Sequence, residues 1–413
     1  MLHIVFLLTV SCFVCACGYV IPDPLLEVYE SGGFKVSIPA EDDMQLLGFH
    51  ANLNKEISQI DPGIYKQDIT APENGLFAFT EPSAKLAIGD TLHYWLFVQK
   101  SFLGYRKLGK LTVTKYSQKG AGACIKAQTL VDGAQSECRN DVVLEDKFNS
   151  NAIDETKWLV EQYVPNDGPD YEFVSYQKPQ CQVGGDVLKI SPSVLTEEEI
   201  VRPLDLTNGC TRNVCNQTKK NTLLYPIKSG KLTSKIKLTY GRVEIKAKLP
   251  LGDWIYPEIY LETDSLKRIY IAFARGNKNL QHNGQNVGAN KLYGGMTDAN
   301  QGDIFTRLFF KDSAQPYSNG FHDYKIIWTP SIVEGYIDGT KYGEAPVTPD
   351  FQQPARLVLG VAVGGIKAFY DISTPWLYGD RDMQSQFYEK KNDWQRTWTE
   401  PSLQVQSVKI KAV

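Results

Sequence analysis

The chain has little methionine and little histidine, four and five residues in 413, and no excess of charge of either sign. Forty-four Lys and Arg stand against 47 Asp and Glu, for a net charge of −3. A nucleic-acid-binding surface needs a basic patch or stripe, so this balance argues against that partner. Beyond the amino terminus no stretch reaches the ~18 uninterrupted apolar residues of a membrane span. Phosphate-cradling Gly-rich loops, Gly-x-Ser-x-Gly and His-Glu-x-x-His are absent. These absences predict no cofactor, no metal and no membrane span.

Aromatic residues are plentiful: 22 Tyr, 18 Phe and 7 Trp. Flat rigid rings suit β-sheets, and they also suit stacking on sugar rings. The first 18 residues read as a secretory leader, with the apolar run Ile4–Val14 followed by the small-x-small site Ala16-Cys-Gly18. The protein is therefore expected to be secreted and extracellular. Cys12, Cys15 and Cys17 leave with the leader. Cys124, Cys138, Cys181, Cys210 and Cys215 remain in an oxidising compartment, where they should pair. No CxxC occurs among these five, so a metal site is not indicated. The short-loop pairs Cys124–Cys138 and Cys210–Cys215 are expected, which leaves Cys181 over. Asn216-Gln-Thr218 is a glycosylation sequon.

Short alternating runs punctuated by Gly and Pro fill the chain, and no helical period of useful length appears. Phe34–Ile38, Leu76–Phe79, Leu92–Val98 and Leu111–Val113 mark a first block, residues 19–116, read as a small immunoglobulin-like β-sandwich. Residues 117–140 are polar and carry two cysteines, and they read as a linker with a disulfide loop. Residues 141–413 form a larger β-rich block with strand candidates at Val187–Ile190, Ser234–Leu238, Arg242–Leu249, Ile269–Ile271, Tyr324–Trp328, Val333–Ile337 and Arg356–Leu359. In Arg242–Leu249 apolar and charged residues alternate cleanly, as on an antiparallel sheet with one buried face. The fold class is all-β: the sandwich, then a two-sheet jelly-roll.

Longer motifs carry a resemblance. Gly241-Arg-Val-Glu-Ile-Lys-Ala-Lys-Leu-Pro-Leu-Gly-Asp-Trp-Ile-Tyr-Pro257, Phe321-His-Asp-Tyr-Lys-Ile-Ile-Trp-Thr-Pro330, Tyr336-Ile-Asp-Gly339 and Leu359-Gly-Val-Ala-Val-Gly-Gly365 resemble the laminarinase branch of glycoside hydrolase family 16. Gly33-Phe-Lys-Val-Ser-Ile-Pro39, Gly48-Phe-His-Ala-Asn-Leu-Asn54 and Leu103-Gly-Tyr-Arg106 resemble the amino-terminal module of arthropod β-1,3-glucan recognition proteins, also called Gram-negative-bacteria-binding proteins. The resemblance implies a concanavalin-like jelly-roll for the second block and a glucan-binding module for the first.

It also indicates what is missing. Family 16 enzymes carry Glu-x-Asp-x-x-Glu shortly before Arg-Gly-Asn. Here Arg275-Gly-Asn277 is preceded by Arg268-Ile-Tyr-Ile-Ala-Phe273. Arg268, Tyr270 and Phe273 stand where nucleophile, middle Asp and acid/base are expected, and none can replace a carboxyl group in that chemistry. An upstream Glu258-Ile-Tyr-Leu-Glu262 mimics the shorter spacing but fits a neighbouring strand.

For binding, the family's Gly-x-Trp-Ser-Arg-Asp-Ile and Gly-x-Trp-x-Phe read Gly63-Ile-Tyr-Lys-Gln-Asp-Ile69 and Gly75-Leu-Phe-Ala-Phe79. Candidate glycan contacts are Asp43, Tyr65, Asp68, Phe77 and Arg106 in the first block, and Trp254, Tyr256 and Glu258 in the second. Trp95 reads as core, and His50 and His322 as structural. The reading is a secreted, non-catalytic recognition protein of innate immunity for microbial β-1,3-glucan, with lipopolysaccharide or other bacterial glycans as further ligands. The resemblance implies serine-protease cascade components as partners. Two alternatives stand beside it: a residual endo-β-1,3-glucanase using Glu258 and Glu262, and an adaptor that has lost glycan binding.

Overall fold

A computed structural model describes residues 19–30, 32–73, 75–117, 126–136, 138–165, 170–217, 225–300 and 304–413. The leader, Cys124 and Thr218 lie outside the described residues. The chain divides into two compact units, 1–125 and 126–413.

In the first unit seven strands are described: β1 Leu25–Val28, β2 Phe34–Pro39, β3 Met44–Leu53, β4 Tyr65–Ile69, β5 Leu76–Glu81, β6 Thr91–Lys100 and β7 Leu103–Thr112. They pair antiparallel into a three-stranded sheet, β1-β2-β5, and a four-stranded one, β4-β3-β6-β7. Period-two alternation decides which side chains go inward. On β6, Leu92, Tyr94, Leu96 and Val98 are buried, while His93, Trp95 and Phe97 between them are half-exposed. Phe34, Val36, Ile38, Phe77 and Phe79 from the other sheet complete the core. The expected strand at Leu111–Val113 is only the end of β7, a ten-residue strand that begins at Leu103.

The second unit holds an eight-stranded and a ten-stranded sheet among the described residues. The Gly241–Lys248 strand buries Val243, Ile245 and Ala247 and turns Arg242, Glu244 and Lys246 outward, as its alternation predicts. The Ile255–Thr263 and Lys267–Phe273 strands lie side by side in the larger sheet and are buried on both faces. Ile255, Ile259, Leu261 and Ile269 join the core between the sheets.

Two expectations differ from the structure. The run 234–238 is not one strand: Lys231–Ser234 ends, Ser234 Oγ donates to Ile236 O at 2.8 Å, and pairing resumes at Leu238–Thr239. The segment expected as a linker up to residue 140 is instead part of the second unit from Lys126 on. Its Leu130–Val131 pairs with Leu238–Thr239, and Asn140 N–H donates to Ala412 O at 2.9 Å. Strands of two residues at the edge of a large sheet are too short for alternation to be read.

Cys210 and Cys215 are disulfide-bonded. Cys138 is also in a disulfide, and its expected partner Cys124 lies outside the described residues. Cys181 is free and buried. Among the described residues no helix is long and apolar enough to cross a membrane.

Candidate functional site

The outward face of the β4-β3-β6-β7 sheet gathers aromatic and charged side chains in register. One cross-strand row is Asp68, Gly48, Phe97 and Arg106; the next is Lys66, His50, Trp95 and Leu108. The His50 and Trp95 rings stack with centroids 3.8 Å apart and planes 4° apart. The Arg106 guanidinium lies 5.9 Å from the Trp95 ring centre, within cation–π range.

The connection from β3 to β4 holds this pair. Trp95 Nε1 donates to Asp61 O at 2.7 Å, and His50 Nδ1 lies 2.9 Å from Pro62 O. A carbonyl can only accept, so Nδ1 carries a proton and donates this bond. Asp61 in turn accepts from Gly63 N–H at 2.9 Å and from Asn52 Nδ2 at 3.3 Å. Gly63 is required there: its φ is +71°, and a Cβ would meet Ala51 O at 2.6 Å. Gly48 keeps the middle of the face low, since a Cβ would press on Asp68 Oδ1 at 3.2 Å and Phe97 Cβ at 3.4 Å.

Of the first block's candidates, this face brings together Asp68 and Arg106. The others are placed elsewhere. Phe77 is 1% exposed and sits in the core. Tyr65 packs its ring on Phe34 at 4.9 Å and on the core edge, where burial raises its phenol pKa. Both point inward because residues opposite buried partners do: Tyr65 pairs with Ala51, and Phe77 with Ile38. Asp43 is exposed in the β2–β3 turn beside the β6–β7 hairpin, five residues along β3 from Gly48 and so about 16 Å from it along the strand. The same face also carries Trp95, Phe97 and His50, which the sequence does not offer as contacts. Alternation within Leu92–Val98 separates His93, Trp95 and Phe97 from the buried set, and pairing with Trp95 brings His50 of β3 beside them.

In the second unit, Tyr256, Glu258, Tyr260 and Glu262 share one face of their strand. Arg268, Tyr270 and Phe273 join them from the neighbour. The extra residue needed to bring 273 onto the face of 268 and 270 is present as a register shift between Tyr270 and Phe273. Ring contacts follow: Tyr260–Tyr270 at 5.3 Å, Tyr270–Phe273 at 5.5 Å and Tyr256–Phe273 at 5.7 Å.

This face is packed shut. Arg268 is bound to Asp170 at 2.7 Å and to Glu262 at 2.6 Å, and lies over the Tyr260 ring. Glu258 is 3% exposed and meets Lys231 Nζ at 2.7 Å, Tyr176 Oη at 2.9 Å and Tyr260 Oη at 3.0 Å. Burial and the nearby Asp170 carboxylate push Glu172 up to about 7. Burial would pull the Lys231 ammonium down, but Glu258, Tyr163 and Glu172 together outweigh it and hold the group charged. Glu258 and Tyr256 were candidates for a sugar cleft. Glu258 is instead neutralised inside the domain, and Tyr256 is 5% exposed against Phe369. Trp254 is half-buried, with its edges on Phe369 and Trp376. His322 pairs with Asp338 at 2.7 Å. Asn216 is exposed in a two-residue strand.

Comparisons with known proteins follow this division. The carbohydrate binding domain (family 32) model matches residues 20–130, and the glycosyl hydrolases family 16 model matches residues 204–394. The chain is 28% identical to β-1,3-glucan-binding protein 1 of Galleria mellonella, over 97% of each chain. It is 29% identical to the β-1,3-glucan-binding protein of Hyphantria cunea, over 96% of each. It is 27% identical to Gram-negative bacteria-binding protein 3 of Drosophila melanogaster, over 95% of this chain and 94% of that one. The laminarinase catalytic domain of Thermotoga maritima is similar to 66% of this chain and 98% of its own, with 19% identity and a TM-score of 0.47. The resemblance read from the motifs holds across both units: the chain is a homologue of these glucan-binding and Gram-negative bacteria-binding proteins.

Proposed function

We propose that this protein is a secreted recognition protein that binds β-1,3-glucan of microbial surfaces without cleaving it. The observation that carries the reading is the His50–Trp95 stack beside Arg106 and Asp68 on an open sheet face. The apolar face of a pyranose stacks on an aromatic ring. Hydroxyls around its rim take charge-assisted hydrogen bonds from a guanidinium and a carboxylate. The names of the full-length relatives and the match to a carbohydrate binding domain support the ligand. Asp68, Trp95, Phe97, Arg106 and His50 are the contacts in this reading.

The second unit contributes no hydrolysis. A retaining glycosidase needs two carboxyl groups about 5–5.5 Å apart, one of them free to take and give a proton. Arg268, Tyr270 and Phe273 offer none. Glu258 and Glu262 are committed to Lys231 and Arg268. That arrangement disfavours the residual-glucanase alternative. The leader, the sequon at Asn216 and engagement of serine-protease components complete the reading of an extracellular immune protein.

The test is co-sedimentation with insoluble curdlan and a reducing-sugar assay on laminarin, run on the same purified mature chain. Retention on curdlan with no sugar released above a buffer control is expected. Release of sugar, abolished by Glu258→Gln or Glu262→Gln, overturns the non-catalytic reading. Absence of retention favours the adaptor.

A further inference from the structure

The β4-β3-β6-β7 sheet has an open edge as well as an open face. Its last strand, β7, is the longest edge strand of the small unit: ten residues, against five in β4, four in β1 and six in β5. We propose that this edge takes up an extended, acidic segment of a partner protein as an added strand. The proposal rests on the reading above only for the expectation of a protein partner. It uses the edge of the sheet rather than the face, and of the glucan contacts it shares only Arg106.

The backbone of β7 has bonds to give. In an antiparallel pair every second residue exchanges its N–H and C=O with the neighbour, and the others point theirs away. β7 pairs with β6 in unbroken register from Leu103 to Thr112. Among the described residues no other strand pairs with it, and no other backbone group bonds to its backbone. Edges are blunted by short length, proline or a bulge, and β7 has none of these. What it carries instead is charge of one sign: Arg106, Lys107 and Lys110, with no acidic residue.

The side chains select the segment. Lys107 is committed to Asp23 at 2.6 Å and to the Ile21 carbonyl at 2.8 Å. Arg106 and Lys110 are exposed on the other side of the strand, and Leu108, 51% exposed, stands between them. Among the described residues neither cation has an ion-pair partner, and Arg106 meets only the Trp95 ring. Along this side the edge therefore reads cation, apolar, cation at two-residue spacing. A strand laid beside it sets its own alternate side chains opposite these. Opposite charges across such a pair stabilise and like charges destabilise, so the fitting pattern is acidic-x-apolar-x-acidic. The pattern reads the same backwards and fits a parallel or an antiparallel neighbour. A second copy of β7 fits poorly in its two longest registers. Pairing centred on Leu108 sets Arg106 against Lys110, and pairing centred on Lys107 sets that lysine against its own copy. In strand addition the main-chain bonds supply affinity and the alternate side chains supply selectivity.

The probe is a fluorescein-labelled heptapeptide, Thr-Glu-Thr-Val-Thr-Glu-Thr, with a control in which lysine replaces both glutamates. Fluorescence anisotropy and hydrogen exchange by mass spectrometry are read on the full mature chain. Binding of the acidic peptide with slowed exchange in residues 103–112 is expected, and neither is expected with the lysine peptide. Lys110→Glu, an exposed change, should lower affinity for the acidic peptide about fivefold. Two further peptides carry N-methyl groups on alternate backbone amides, one set each. An added strand turns only one set toward β7, so one version should bind and the other should lose about tenfold in affinity, with the protein itself unaltered. No binding of the acidic peptide at millimolar concentration, binding without slowed exchange in β7, or equal affinity of the two methylated versions overturns the proposal. Protection of β7 that grows with the concentration of the chain alone assigns the edge to a second copy and overturns it too. Laminarin binding without peptide binding strikes this proposal and leaves the glucan reading, and peptide binding without laminarin binding does the reverse.

Discussion

Phe77 and Trp95 show how a single face assignment changes a role. Phe77 sits where the motif resemblance expects an indole, yet it is 1% exposed and shares the core with Phe34, Phe49 and Phe79. Phe77→Trp should therefore overfill the core and cost roughly 1–3 kcal/mol, with no gain in curdlan retention. A thermal melt beside the retention assay reads both, and a gain in retention at unchanged stability would return Phe77 to the binding face. Lys231 gives the sharper residue-scale test. Removing it leaves Glu258 buried and uncompensated, so Lys231→Met should cost about 3–5 kcal/mol in urea unfolding of the large unit. Lys231→Met with Glu258→Leu should recover most of that loss, because the pair is replaced by apolar groups of similar shape. Failure of the double variant to recover would place the cost in packing rather than in charge.

At the scale of elements, alternation was the most legible signal. It marks the Gly241–Lys248 strand and its buried face, and it marks β6 as a strand. The faces of β6 were available in the same seven residues, since a strand with Leu, Tyr, Leu and Val on one side must turn His93, Trp95 and Phe97 to the other. Tyr65 and Phe77 were harder, because their direction depends on which residues they oppose across the sheet, Ala51 and Ile38. The closure of the large unit's face was not legible either. It depends on Asp170, Glu172 and Tyr176 arriving from a segment some ninety residues away in sequence. The expectation that Arg268, Tyr270 and Phe273 stand at the family's carboxylate positions comes, by contrast, from counting back from Arg275-Gly-Asn277. The arriving segment has a pH signature. Glu172 is raised to about 7, mainly by burial and next by Asp170. The folded state then holds a proton on Glu172 that the unfolded chain releases near its ordinary pKa. This contribution to stability is present at low pH and is lost as pH rises through about 7. Glu172→Gln cannot lose it, so its stability relative to wild type should improve from pH 5 to about pH 7 and then level off in paired denaturant titrations. A difference that stays flat across that range would mean that Glu172 ionises as an ordinary carboxyl group.

For the whole molecule, the two units divide the work. The small sandwich presents stacked rings and a guanidinium on an open sheet, and the large unit fills the face of Glu258 and Arg268 with packed aromatics and internal ion pairs. Binding should accordingly depend on the small unit's face while the rest of the chain stays folded. The direct test is a calorimetric titration of soluble laminarin into the full mature chain, comparing wild type with Trp95→Ala and with matched circular dichroism spectra. Loss of the stacking ring should lower affinity by roughly one to two decades at unchanged fold. Equal affinity in the two proteins would contradict the assignment of glucan binding to this face.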